Sequence, residues 1–194
     1  MKRFLASLIA ACFLFGTGAA ATEPQGPTMG QALPDFSLTV PDNSEFRIYL
    51  GVEGKTAFSI TDIQSEMVII EIFSMYCPFC QREAPSMNRF FEMVNADPSL
   101  KNKIKLIGIG AGNSTAEVEV FHKKYQVPFP LFEDGDFSIH KKIGEVRTPY
   151  FIGVRKNTDR THTVFFSKLG GFESPEKFLN QLLQAAGIRK GGTP

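Results

Sequence analysis

Two cysteines separated by two residues, Cys77 and Cys80, are the side chains of this sequence best suited to chemistry. They follow a run of β-branched and aromatic residues at 68–73 and precede a helix-competent segment at 81–95. This order predicts a buried strand that delivers a dithiol to the N-terminus of a helix. Because unpaired N–H groups and the helix dipole favour negative charge there, the pKa of the Cys77 thiol should fall. Cys80, one turn further on, is placed to close a disulfide with Cys77.

The strand, the motif Cys77-Pro78-Phe79-Cys80 and the following helix resemble the thioredoxin-like fold. Gln81-Arg82-Glu83-Ala84-Pro85 narrows the likeness to the extracytoplasmic TlpA/ResA-type thiol–disulfide oxidoreductases, whose C-x-x-C is typically followed by a Glu and a Pro at these offsets. The resemblance implies an α/β fold in which helices flank a central mixed sheet, with an N-terminal β-hairpin extension. It also implies a redox-active Cys77–Cys80 disulfide. No cofactor and no bound metal are expected.

The remaining segments agree with this fold, because strand, helix, strand, helix, hairpin and helix follow one another in the thioredoxin order. Before the dithiol, short strands are predicted at 36–40, 46–50 and 56–60. After it, the patterns predict strands at 104–110, 129–132, 150–154 and 163–167, and helices at 116–125, at 137–143 and from Ser174 onward.

The two ends of the chain are predicted to lie outside the folded domain. Residues 1–21 combine a basic start, an apolar stretch and Ala19-Ala20-Ala21, which is typical of a cleaved export signal. Lipidation at Cys12 and retention as an N-terminal anchor are the alternatives. Residues 22–31 are predicted to be a flexible spacer, 32–188 the thioredoxin-like domain and 189–194 a disordered tail.

Charge and cysteine content restrict the function further. The formal net charge is +1, and without Lys2 and Arg3 the 21 basic residues fall to 19 against 20 acidic ones. No strong field therefore points to nucleic acid as a partner. A chain cleaved near Ala21 keeps only Cys77 and Cys80, and a disulfide between them closes too small a loop to stabilise the fold much. This favours redox work over a structural role.

Two acids flank the dithiol in sequence. Glu71 lies six residues before Cys77, where thioredoxins carry a buried acid; it is either a proton acceptor for Cys80 or an acid at a strand end that is solvated or paired with a lysine. Glu83 matches the Glu of the TlpA/ResA-type pattern, which implies that it tunes the thiol pKa. The alternative for Glu83 is an ordinary exposed carboxylate in the first turns of a helix.

Thr148-Pro149 stands just before a predicted strand, where thioredoxin-like proteins place a cis-proline against the C-x-x-C. A trans-proline at a strand start is the alternative. With a cis bond, the Thr148 backbone can pair with an extended substrate segment. Tyr76, Pro78, Phe79 and Tyr150 would then form an apolar rim for substrate binding, with core packing as the alternative for the aromatic rings.

The reaction predicted from these residues is thiol–disulfide exchange at Cys77 and Cys80. The resemblance points to a reductase of protein disulfides, which implies protein thiol or disulfide clients such as an apocytochrome c, and a membrane electron donor. A disulfide-forming oxidant is the second hypothesis. A Cu(I)-binding thiol module is the third, because two thiolates suit a soft ion, although copper-delivery relatives usually carry C-x-x-x-C.

Overall fold

The computed structural model describes residues 25–159 and 161–188. A five-stranded mixed sheet forms its centre, in the strand order β5-β4-β3-β6-β7. These strands are β3 (Met67–Phe73), β4 (Ile104–Ala111), β5 (Leu131–Asp134), β6 (Tyr150–Lys156) and β7 (His162–Leu169). The first three run parallel to one another, whereas β6 is antiparallel to β3 and β7 is antiparallel to β6.

Helices cover both faces of this sheet. They are α1 (Ser44–Leu50), α2 (Pro78–Ala96), α3 (Thr115–Tyr125), α4 (Ser138–Lys142) and α5 (Pro175–Ala185). Core residues of α2, α3 and α5 pack on one face, and those of α1 and α4 pack on the other. Every residue of β3 is consequently buried, which explains why its sequence is a continuous apolar run interrupted only by Glu71.

The predicted central elements are present with small shifts of their ends. The active-site helix begins at Pro78, because proline suits the first helical position and Cys77 occupies the N-cap. Ser114 caps α3 through a reciprocal capping box with Glu117. Ser174 likewise caps α5, with Pro175 at its first position.

The predicted strand at 46–50 is wrong, because these residues belong to α1. The Asn43 side chain accepts hydrogen bonds from the backbone N–H groups of Glu45 and Phe46, which starts a helix. Gly51, with φ of 69°, ends it in a left-handed conformation in which backbone N–H groups return to Arg47 and Ile48. These local caps stabilise a helix at the positions where a short strand was predicted.

The N-terminal extension is therefore not a simple hairpin. Strand β1 (Leu38–Thr39) pairs antiparallel with β2 (Ala57–Phe58), and α1 lies between them in the chain. A 3-10 turn, Ile60–Asp62, then leads to β3.

The predicted spacer is attached to the domain at its C-terminal end. The Gly30 N–H donates to the Val164 carbonyl, and the Val164 N–H donates to the Gln31 carbonyl, both at 2.8 Å. The predicted signal at 1–21 and tail at 189–194 lie outside the described residues. Within the described part of the chain, no helix has the length and apolarity needed to cross a membrane.

The cap of α1 provides a test of the helix that replaced the predicted strand. Asn43→Ala should lower the free energy of unfolding by about 1 kcal/mol, because two backbone N–H groups lose their acceptor. Urea titration measures this loss, and Asn43→Asp, which keeps a side-chain acceptor, should retain most of the stability. Equal urea midpoints for the native chain and Asn43→Ala would contradict this account of α1.

Candidate active site

The two cysteines occupy very different positions at the start of α2. Cys77 is the N-cap residue and is partly exposed, whereas Cys80 lies in the first turn and is completely buried. Both are free thiols in the structure. The Cys77 Sγ donates a hydrogen bond to the Thr148 carbonyl at 3.3 Å. One sulfur is thus available to a partner molecule, and the other is held beneath it.

Several donors surround the Cys77 sulfur and favour its thiolate. Burial alone would raise the pKa of the Cys77 thiol, but hydrogen bonds with the Thr148 side chain and the backbone N–H groups of Cys80 and Phe79 lower it below its ordinary value. The predicted helix N-terminus therefore acts on Cys77 through specific N–H groups.

The Cys80 thiol shows the opposite behaviour. Burial raises its pKa well above the usual range, and the neighbouring Cys77 and Glu71 add to this effect. A hydrogen bond from the Ser74 backbone lowers the pKa only in part. Cys80 consequently stays protonated until a base removes its proton.

Glu71 lies on the face of β3 that carries Ile69 and Phe73, and these two residues pack in the same apolar cluster as Cys80. Only 3% of Glu71 is exposed, and its Oε1 has no hydrogen-bond partner among the described residues. Burial raises the pKa of this carboxyl to about 8, with further contributions from the charges of Glu83 and Cys77. The structure thus places Glu71 in the interior near the dithiol, and a solvated or lysine-paired acid does not describe it.

Glu83 is half-buried on α2, where it meets the segment that links β7 to α5. Its carboxylate accepts a hydrogen bond from the Phe172 backbone, and Lys168 supplies a nearby positive charge. Burial nevertheless raises the pKa of Glu83. A Cβ atom at Gly171 would lie 2.0 Å from Glu83 Oε2, so a side chain there would displace this carboxylate from its observed position.

The Thr148–Pro149 peptide bond is cis, and it lies beside the dithiol. Pro149 is buried, and its carbonyl accepts a hydrogen bond from the Gly170 N–H at 2.9 Å. Thr148 is partly exposed and faces Cys77 with its carbonyl. This geometry brings Thr148 and Pro149 to the dithiol from a distant part of the sequence.

Three of the predicted rim residues flank Cys77 in the chain and are open to solvent, whereas the fourth, Tyr150, is buried in the core. Tyr76 is 65% exposed, Phe79 is 63% exposed, and Pro78 between them in the motif is also exposed. The Tyr76 hydroxyl donates to the Glu117 carboxylate, and the Arg82 guanidinium lies 4.5 Å from the Phe79 ring centre. The two rings are therefore not core residues, and each has a charged neighbour.

Sequence reasoning missed the residues that hold this site together. Asn113 is fully buried and contacts the loop before Cys77. Gly171 and Phe172 enclose Glu83, and no local pattern pointed to either of them. In the described ranges, no group of three or more His, Cys, Asp or Glu residues could hold a metal ion.

Relatives with similar sequences include the protein named thiol-disulfide oxidoreductase ResA of Geobacillus thermodenitrificans. It is 23% identical over 136 residues, which cover 70% of this chain and 68% of that protein. The soluble secreted antigen MPT53 of Mycobacterium tuberculosis is 24% identical over 104 residues, which cover 54% of this chain and 56% of that protein.

Solved structures show the same architecture. A putative thiol:disulfide interchange protein DsbE from Chlorobium tepidum superposes with a TM-score of 0.60 and 18% identity, over 82% of this chain and 97% of that one. StoA from Bacillus subtilis superposes with a TM-score of 0.54 and 18% identity, over 76% and 96% of the two chains. At these identities the likeness shows the fold.

The predicted thioredoxin-like fold is therefore confirmed, and so is the resemblance to ResA-type proteins. Residues 29–169, well over half of the chain, match the family described as AhpC/TSA. The chain thus belongs to the AhpC/TSA family, and it is a thiol–disulfide oxidoreductase with the thioredoxin-like fold.

Proposed function

We propose that this protein is an extracytoplasmic reductase of protein disulfides that works through Cys77 and Cys80. The observation that carries the proposal is the asymmetry of the dithiol. Cys77 is partly exposed and its pKa is lowered, whereas Cys80 is buried and its pKa is raised. The first thiol is suited to attack a partner, and the second to resolve the intermediate.

The reaction begins when the Cys77 thiolate attacks one sulfur of a client disulfide. The client S–S bond breaks, a mixed disulfide forms, and the second client sulfur leaves as a thiolate that takes up a proton. Cys80 then loses its proton and attacks the Cys77 sulfur, which releases the first client sulfur. The client gains two electrons and two protons, and the Cys77–Cys80 pair is oxidised.

Glu71 is the proton acceptor for Cys80 in this scheme. Its carboxyl is buried near both sulfurs, because Glu71 affects the pKa of Cys80 and Cys77 affects the pKa of Glu71. Its Oε1 has no hydrogen-bond partner in the described chain and is therefore available to accept a proton. A pKa of about 8 places the carboxyl close to neutral pH, where a base both accepts and returns protons readily. Glu83 acts on the dithiol through Glu71, because its charge raises the Glu71 pKa.

The client is held beside Cys77 by backbone pairing and apolar contact. Thr148 is partly exposed next to the sulfur, so an extended client segment can pair with its main chain. Tyr76, Pro78 and Phe79 supply the rim against which client side chains pack. Such a groove accepts many extended segments, since main-chain pairing does not depend on client sequence.

The two acids support electron donation by the dithiol. Strong oxidants of this fold owe their potential to a stabilised reduced form. Here a carboxylate at Glu71 and a thiolate at Cys77 are both negative and repel each other. Ionisation of Glu71 therefore destabilises the reduced state that carries the thiolate. This favours a reductase over a disulfide-forming oxidant. Its clients would include an apocytochrome c, and a membrane electron donor would regenerate the dithiol.

An extracytoplasmic location is part of the proposal. Residues 1–21 have the pattern of an export signal, and the relative MPT53 is named as a secreted protein.

The equilibrium reduction potential of Cys77–Cys80 tests the direction of electron flow. Titration of the purified chain in glutathione or dithiothreitol buffers should give a value near that of thioredoxin, about −270 mV, or lower. A value near about −120 mV would instead identify a disulfide-forming oxidant. If no intramolecular disulfide forms and Cu(I) binds with one-to-one stoichiometry, the copper-binding hypothesis replaces both.

Single cysteine variants separate the two chemical steps. Cys77→Ser should abolish insulin disulfide reduction, because no other described thiol is exposed to a client. Cys80→Ser should also stop turnover, but it should accumulate a mixed disulfide that mass spectrometry detects and dithiothreitol releases. Accumulation in Cys77→Ser rather than in Cys80→Ser would reverse the assigned roles.

The role of Glu71 predicts a defined pH dependence. Release of the client from the mixed disulfide should accelerate as pH rises towards 8, where Glu71 ionises, and level off above it. In Glu71→Gln this rise should be absent and the step slower by on the order of 10²-fold, as for loss of a general base. Stopped-flow measurement of single turnovers follows this step.

Protein stability provides the control for Glu71→Gln. The native carboxyl keeps its proton up to a pKa of about 8, whereas the unfolded chain loses it near 4.5, so rising pH between these values destabilises the native chain. Glu71→Gln lacks this loss and should be at least as stable as the native chain at pH 8 in urea titrations. A variant that is slow only because it is partly unfolded would fail this control.

A further inference from the structure

Asn113 is a buried polar residue that follows β4, far along the sequence from the dithiol. It is 0% exposed, and both ends of its amide contact the loop between β3 and α2. Its Oδ1 accepts the Met75 backbone N–H at 2.8 Å, and its Nδ2 donates to Ser74 Oγ at 3.5 Å. A buried amide with partners on one loop fixes the position of that loop.

The same loop residue is held from its other side by the active-site helix. Gln81, which directly follows Cys80, donates from Nε2 to the Met75 carbonyl at 2.7 Å. The N–H and the C=O of Met75 are therefore both satisfied by side chains rather than by regular secondary structure. Asn113 and Gln81 together fix both peptide groups of Met75.

This loop touches both sulfur-bearing residues. The Cys77 N–H donates to the Ser74 carbonyl at 3.0 Å, and the Ser74 backbone forms a hydrogen bond with the Cys80 sulfur. A displacement of Ser74 or Met75 would thus move Cys77 relative to its donors and would disturb the hydrogen bond to the Cys80 sulfur. Only one or two peptide units therefore separate the residues that Asn113 holds from the residues that carry the sulfurs.

Asn113 itself has little freedom to move. Its backbone N–H donates to the Gly110 carbonyl at 3.0 Å, and its carbonyl accepts the Asp134 N–H at 3.2 Å. A Cβ atom at Gly110 would lie 3.1 Å from both Cβ and Oδ1 of Asn113. Contacts with the ends of β4 and β5 therefore hold the Asn113 amide next to the loop between β3 and α2.

We propose that Asn113 is a positioning residue for the dithiol, which, together with Gln81, clamps Met75 and keeps the donors around Cys77 aligned. The proposal deepens the proposed function, because it assigns a residue that prepares Cys77 for attack. It rests on a reactive Cys77 thiolate, but it holds for either direction of electron flow.

The test is the pH profile of Cys77 alkylation by iodoacetamide in the reduced chain, since only the thiolate reacts. Cys80 is completely buried and contributes little to this signal. Asn113→Ala should move the midpoint to higher pH and slow alkylation at pH 7 about three- to tenfold, the factor that corresponds to one net hydrogen bond. This measurement needs no client, so an error in the proposed reductase activity would not affect it.

Asn88→Ala is the matched control. The Asn88 amide also bridges two elements, donating from α2 to the Tyr125 carbonyl at 2.8 Å, but it lies two turns beyond Cys80. It should lower the free energy of unfolding without moving the alkylation midpoint. Equal midpoint shifts in Asn88→Ala and Asn113→Ala would reduce Asn113 to a purely structural residue and overturn the proposal.

An unchanged midpoint in folded Asn113→Ala would also overturn the proposal. If Asn113→Ala does not fold, Gln81→Ala decides, because it removes the other half of the clamp from a partly exposed position on α2. A midpoint shifted to higher pH in folded Gln81→Ala supports the clamp, and an unchanged midpoint rejects it.

Discussion

The burial of the Glu71 carboxyl near two sulfurs is the constraint on which this site depends. An ionised carboxylate in an apolar interior is costly unless hydrogen bonds or opposite charges compensate it, and Oε1 of Glu71 has no partner in the described chain. The group therefore remains protonated to a pKa of about 8. Glu83 and Cys77 raise this pKa further. A negative charge on Glu83 or Cys77 therefore makes ionisation of Glu71 less favourable. Redox chemistry at the dithiol is thereby coupled to proton uptake and release.

The central position of β3 imposes this arrangement. Its register pairs Glu71 with Gly108 of β4 and with Phe151 of β6, and side chains alternate between the two faces of the sheet. A slip of one residue would move Glu71 to the opposite face, away from Cys80. Because neighbouring strands on both sides fix the register, the acid cannot turn towards solvent. The sheet thus holds this ionisable group in the interior, at the position where the proposed mechanism uses it.

The sequence was sufficient for the order of the central elements and the position of the dithiol, because each has a local pattern. The cis bond before Pro149 was expected only from the resemblance, and the structure contains it. The prediction from sequence failed at 46–50, where the alternation of apolar residues fits a strand and a short helix equally, and the caps at Asn43 and Gly51 decided the outcome. The sequence also did not show which face of the sheet carries Glu71. Alternation along a strand separates the residues into two faces, but it does not tell which face packs against Cys80. Asn113 had no signal, because its contacts with Met75 exist only once β3 and β4 are paired.

Opposing influences act on the thiolate form of Cys77. The donors from Thr148, Cys80 and Phe79 stabilise the thiolate and hence the reduced form, whereas the nearby acids oppose it. The donors belong to the helix start and the cis-proline loop, which the fold requires. The opposing charges, by contrast, come from the side chains of Glu71 and Glu83, which can be substituted without a change of fold. The proposed electron donation therefore rests on Glu71 and Glu83 more than on the shared architecture around Cys77.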